Sequence, residues 1–229
     1  MKKIISFIIS AALLSSTAVY AADFIDTKGH WAEAVISRLA DRGVVSGVSQ
    51  NAFVPDAEVT RAQYLKMIMN AVSLQAEECE KDMCLDASRY DWYSGYLNSA
   101  LKKGLIPEEM ITGYDVEIIS DAEGTSAQAV YSGAFEGNKS ITREEMAFLT
   151  ISMYQYILNA KTMQSLDTSK KFSFTDSTDI SIWAQAGVNL AAANGLVTGM
   201  DDGSFAPQQT ATRAQAATII SRVLDKQGI

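Results

Sequence analysis

The chain has 229 residues, 27 of them Asp or Glu against 19 Lys or Arg, for a formal charge of −8. That balance excludes broad nucleic-acid binding and long-range steering toward a polyanion, so recognition of any anion has to be local. The length suffices for one compact domain or several small modules.

Residues 1–21 read as a secretory signal peptide. Lys2 and Lys3 form a charged start, Ile4 to Leu14 a short apolar run, and Val19 and Ala21 a small-residue cleavage site. The apolar run is shorter than the roughly 20 residues a membrane span needs. No Cys follows it to carry a lipid, and no later segment is apolar enough to span. Cleavage after Ala21 removes two lysines and takes the charge to −10. The expectation is an exported protein with no membrane span after cleavage.

Residues 22–73 form a first unit. Trp31, Val35, Ile36 and Leu39 fall at helical spacing, and Gly43 is a natural C-terminal stop. A Gly-rich loop follows, then "VTRAQY", in which Thr60 and Gln63 have the spacing of a capping box. Tyr64, Leu65, Ile68 and Val72 continue as an apolar stripe. Residues 74–84 make a linker holding Cys79 and Cys84. In an exported chain these two read as a local disulfide, or else as two free thiols.

The same plan recurs at 85–158 and, after a linker at 159–173, at 174–227. Trp31, Trp92 and Trp183 each precede a glycine by twelve positions (Gly43, Gly104, Gly195), and an apolar pair follows each glycine. A second glycine comes at Gly47, Gly113 and Gly199. Phe53, Phe135 and Phe205 each stand seven positions before the Thr of a Thr-Arg pair. An Asp precedes each Trp, at Asp26, Asp86 and Asp176. Each unit is therefore helix, Gly-rich loop, helix. Such a hairpin buries little alone, so the three should pack on one another. The loop "GMDDGSFAP" resembles a fragment of a calcium loop but lacks its spacing and closing Glu.

The middle unit departs from this plan. Its Gly113-to-Phe135 segment is 16 residues longer than its counterparts, and "VEIIS" and "AQAVYS" flank "DAEGT" within it. A β-hairpin insertion at 114–134 is expected. The hairpin can cover the adjoining groove, add specificity or dock a partner.

Taken together, "FIDTKGHWAEAV", "GVVSG", "FVP" and "TRAQ" in the first unit, with "FTDSTDISIWAQ", "GLVTG", "DDGSFAP" and "TRAQ" in the third, resemble the S-layer homology module. "CLDASRYDWYSGY" and "ITREE" are a looser match in the middle. The resemblance implies a mainly α fold, with three helix-loop-helix modules packed in pseudo-threefold symmetry. It also implies non-covalent attachment to the bacterial cell envelope. The implied ligand is a secondary cell-wall polysaccharide, often bearing a pyruvate ketal, held in grooves between modules; some relatives bind peptidoglycan in diderm envelopes. No cofactor, metal or nucleic acid is implied.

Arg61, Arg143 and Arg213 raise a specific question. Each opens a helix, where partial positive charge makes a cation unfavourable. In one reading, the guanidinium fork and free helix N–H groups together form a carboxylate pocket. In the other, each Arg pairs with Asp26, Asp86 or Asp176 of its own unit. The resemblance associates the Arg of this motif with the ligand. The tryptophans read as core first and as sugar platforms second, and Gly47, Gly113 and Gly199 as loop formers first. Catalysis finds little support, because a single His cannot serve three repeated sites. A helical scaffold for another exported protein is the alternative to wall binding.

Overall fold

The computed structural model describes residues 23–78, 86–120, 127–161 and 166–228. The expected signal peptide and the Cys79–Cys84 disulfide lie outside these residues. The fold is mainly α, with six α-helices and one two-stranded sheet among the described residues. Three helix-loop-helix units follow one another. Helices α1 (Glu33–Asp41) and α2 (Arg61–Ala71) form the first, α3 (Ser94–Lys102) and α4 (Arg143–Lys161) the second, and α5 (Ile182–Ala193) and α6 (Arg213–Lys226) the third. Strands β1 (Thr112–Ser120) and β2 (Ala127–Ala134) pair antiparallel inside the second unit, as the insertion predicts.

The units close into a ring at the starts of α2, α4 and α6. The Val59 N–H donates to the Ala211 carbonyl (3.0 Å), Ala211 to Ile141 (3.0 Å), and Ile141 back to Val59 (2.9 Å). This cyclic set of backbone hydrogen bonds is the pseudo-threefold axis. Around it, the first helix of each unit packs on the second helix of the unit before: α3 on α2, α5 on α4, and α1 on α6. One continuous core results, with Phe53, Phe135 and Phe205 buried at equivalent places.

The helix starts follow the sequence. Thr60 accepts from the Gln63 N–H, and its own N–H donates to the Gln63 side chain; Thr212 and Gln215 do the same. Thr142 and Glu145 repeat the exchange at α4. At the far ends of α1, α3 and α5, Gly43, Gly104 and Gly195 take left-handed φ of 68°, 63° and 66°. That conformation suits glycine at a helix C-terminus.

The helical stripe expected to begin at Trp31 begins instead at Ala32. Helix α1 begins at Glu33, so Trp31 precedes it and does not share its buried stripe. Ala32, Ile36 and Leu39 carry the packing instead, and Trp31 is 65% exposed. Trp92 stands likewise before α3 and is 53% exposed. Trp183 lies inside α5 and packs partly against the core.

Candidate functional site

The three arginines reach across unit boundaries. Arg213 donates from Nε to the Phe53 carbonyl (2.7 Å) and from Nη2 to the Ser46 carbonyl (2.9 Å) of the first unit. Arg143 makes the equivalent pair with Phe205 (2.8 Å) and Thr198 (3.0 Å) of the third. Their guanidiniums sit 4.4 Å and 5.0 Å from the Phe53 and Phe205 ring centres. Arg61 reaches the Phe135 and Met110 carbonyls of the second unit. All three residues are buried.

Neither side-chain arrangement read from the sequence is the one observed. The first two N–H groups of each second helix are not free. Arg61 and Ala62 donate to the Lys139 and Gly137 carbonyls, Arg143 and Glu144 to Gln209 and Pro207, and Arg213 and Ala214 to Ala57 and Pro55. A loop of the neighbouring unit thus occupies the helix N-terminus, where the carboxylate pocket would use open donors. The aspartates have a different task. Asp26 accepts from the Phe53 and Val54 N–H groups (2.9 and 2.6 Å), Asp86 from Phe135 and Glu136, and Asp176 from Phe205 and Ala206. The second residue of each pair has left-handed φ: 57° at Val54, 52° at Glu136, 55° at Ala206. Each Asp therefore pins a strained turn whose carbonyl receives the neighbour's arginine.

Two grooves arise where arginine, loop and tryptophan meet, each drawing on all three units. The first is lined by Arg143, by Val197 to Gly199, by Gln215 and Arg222 of α6, and by Trp31. The second is lined by Arg213, by Val45 to Gly47, by Gln63 and Lys66 of α2, and by Trp92. The arginine, the loop, the glutamine and the tryptophan correspond between the two, whereas the second cation sits one turn apart on the helix, at Lys66 in one and Arg222 in the other. Gly47 and Gly199 form part of the walls, and both lack room for a side chain. A Cβ on Gly47 would meet the Ala52 carbonyl at 2.5 Å, and one on Gly199 the Ser204 carbonyl at 2.7 Å. Gly113 faces open space and is needed for its φ of 70°.

The electrostatics of the grooves run against the charge of the chain. No Asp or Glu among the described residues lines either one, although each holds two cations. Burial pulls the pKa of Arg143 and Arg213 below the usual arginine value, and the nearby charges of Asp176 and Asp26 partly offset this. Both remain protonated. Neither has a carboxylate within ion-pairing distance among the described residues. The Nη1 group of each donates to no described residue, which leaves it available to a ligand. In the second groove, the Lys66 ammonium stands 5.6 Å from the centre of the Trp92 ring. A buried cation, a ring of exposed indole and backbone groups can together take a small anion carried on an apolar or sugar-like body.

Sequence comparison picks out the first and third units. Residues 23–65 and 173–217 match the family model of the S-layer homology domain. The chain is 32% identical to an amylopullulanase of Thermoanaerobacterium thermosulfurigenes over 91% of its own length and 10% of that protein. It is 32% identical to exoglucanase XynX of Acetivibrio thermocellus over 89% of its length and 16% of that protein. It is 27% identical to an S-layer protein of Bacillus thuringiensis subsp. finitimus over 99% of its length and 24% of that protein. The chain thus spans a quarter or less of these relatives. No helix among the described residues is long and apolar enough to cross a membrane.

Proposed function

From the premise that two segments match the S-layer homology domain, we propose that all three units are modules of this kind and that the chain attaches non-covalently to the bacterial cell envelope. The ligand is a secondary cell-wall polysaccharide bearing carboxylate groups, as a pyruvate ketal would supply, and it binds in the grooves between units. The chain acts as a binding module and not as an enzyme. The catalytic names among its relatives belong to proteins of which it spans only a small part.

One observation carries this reading. In an acidic chain, two equivalent grooves are lined by no carboxylate among the described residues, and each combines a buried arginine with an exposed tryptophan. Carbonyl partners leave the charge of a buried cation uncompensated, so a guanidinium with no carboxylate partner among the described residues, lining an open groove, favours an anionic occupant. The exposed indole supplies a flat apolar face for the sugar.

The test is retention on immobilised wall polysaccharide. Trp31→Ala combined with Trp92→Ala should abolish retention and leave the melting temperature nearly unchanged, since both side chains are exposed. Retention equal to that of the unaltered protein would refute the assignment.

A second reading draws on the hairpin. Among the described residues the two strands pair only with each other, and Ile118 on β1 is 63% exposed. A hairpin of this kind can dock another exported protein. Capture of such a protein by the full chain, lost on deletion of residues 114–134 while wall binding persists, would support it.

A further inference from the structure

The ring symmetry calls for a third groove, built on Arg61, α4 and Trp183. Its residues differ from those of the other two at three corresponding places. On the turn that receives the arginine, Val54 and Ala206 become Glu136. At the third residue of the second helix, Gln63 and Gln215 become Glu145. One turn further on, Lys66 and Thr218 become Phe148.

Each change fills the site from within. Glu145 accepts from Nε of Arg61 (3.2 Å) and pairs closely with its Nη2. Glu136 brings a second carboxylate to 3.6 Å from Nη1. Nη1 also donates to the Met110 and Phe135 carbonyls, so all three nitrogens are engaged. Phe148 packs on the Trp183 ring with centroids 5.5 Å apart. Helix α5 approaches so closely that a Cβ on Gly187 would meet Phe148 at 2.6 Å. Where the other grooves expose an indole and leave a cation with no carboxylate among the described residues, this position packs two half-buried rings together and neutralises its cation.

We infer that the third position is liganded by the protein's own carboxylates, so that the chain takes two anionic ligands and not three. Glu145 stands in for the ligand's carboxylate, and Phe148 for the face that would lie on tryptophan. The inference rests on the groove-binding function proposed above and adds to it the number of sites and the residues that set it. A carboxylate already bonded in place needs no loss of translational freedom, so it outcompetes a free anion for Arg61.

Isothermal titration of the purified protein with a hexose carrying a 4,6-pyruvate ketal tests this. Two sites per chain are expected. The Trp31→Ala/Trp92→Ala variant should show none, because no third site remains behind. The triple variant Glu136→Ala, Glu145→Gln and Phe148→Thr gives the third position the residues of the Arg143 groove, and should raise the count to three. Three sites in the unaltered protein, or one surviving site in the tryptophan variant, would overturn the inference while leaving groove binding intact. Both of those readouts hold even if the triple variant does not fold. Absence of any binding by the unaltered protein would instead overturn the proposed function, and the inference with it.

Discussion

Arg213 donates a hydrogen bond to the carbonyl of Phe53, 160 residues away, while its guanidinium lies 4.4 Å from the centre of the same residue's ring. One side chain thereby joins the last unit to the first and forms part of a groove wall. Arg213→Ala should act on both properties. It removes two charge-assisted bonds and leaves two carbonyls without partners, a loss of about 2–4 kcal/mol. Urea denaturation reads the stability, and polysaccharide binding reads the groove. Arg213→Lys keeps the charge but cannot span both the Phe53 and Ser46 carbonyls, so it should recover only part of either.

Asp26 ties its turn through charge. Burial raises its pKa, but the Phe53 and Val54 N–H groups and the charge of Arg213 outweigh that, so the folded value lies below the ordinary 3.8. A depressed carboxylate pKa adds stability above the unfolded value, and this is lost as the pH falls through the folded one. Asp26→Asn should therefore lower the melting temperature at pH 7, by only about 1–2 °C because solvent screens this exposed carboxylate. The gap to the unaltered protein should narrow below about pH 4. A gap that stays constant from pH 7 to pH 3 would show that charge plays no part.

Val54 is a β-branched residue held at φ 57°. That conformation costs an L-residue roughly 1–2 kcal/mol. Val54→Gly should relieve it, and because the side chain is partly exposed it gives up little burial in exchange. A gain of about 1 kcal/mol in urea denaturation is expected. A loss would mean that Val54 makes contacts worth more than the strain.

The second glycines separate into two kinds. Gly47→Ala places a methyl group against backbone at 2.5 Å and should distort the loop that carries the Ser46 carbonyl. Both stability and binding at the Arg213 groove should fall. Gly113→Ala meets open space, so only its positive φ is penalised, at about 1 kcal/mol. Binding should be unchanged in that variant.

Much of the fold was legible in the sequence because its signals are local. The capping pairs Thr60–Gln63 and Thr212–Gln215, the stops at Gly43 and Gly195, and the hairpin-length insertion each act within a few residues. The destinations of the arginines were not legible. A single unit suggests that Arg61, Arg143 and Arg213 stay with their own Asp or face open helix N–H groups. Ring closure instead sends each one into the loop of another unit. The same crossing explains the insertion. It lies in the chain segment that carries Arg143, yet the loop it alters receives Arg61, and Arg143 keeps a groove equivalent to that of Arg213. The exposure of Trp31 was hidden for a smaller reason: it fits the apolar stripe by spacing but stands before the helix begins.

The most direct measurement is co-sedimentation of the purified protein with cell-wall sacculi. Sacculi that retain their polysaccharide should pellet the protein, and sacculi stripped of it, or freed of their carboxylate-bearing ketals, should not. Equal pelleting with intact and stripped sacculi would contradict attachment through an anionic wall glycan.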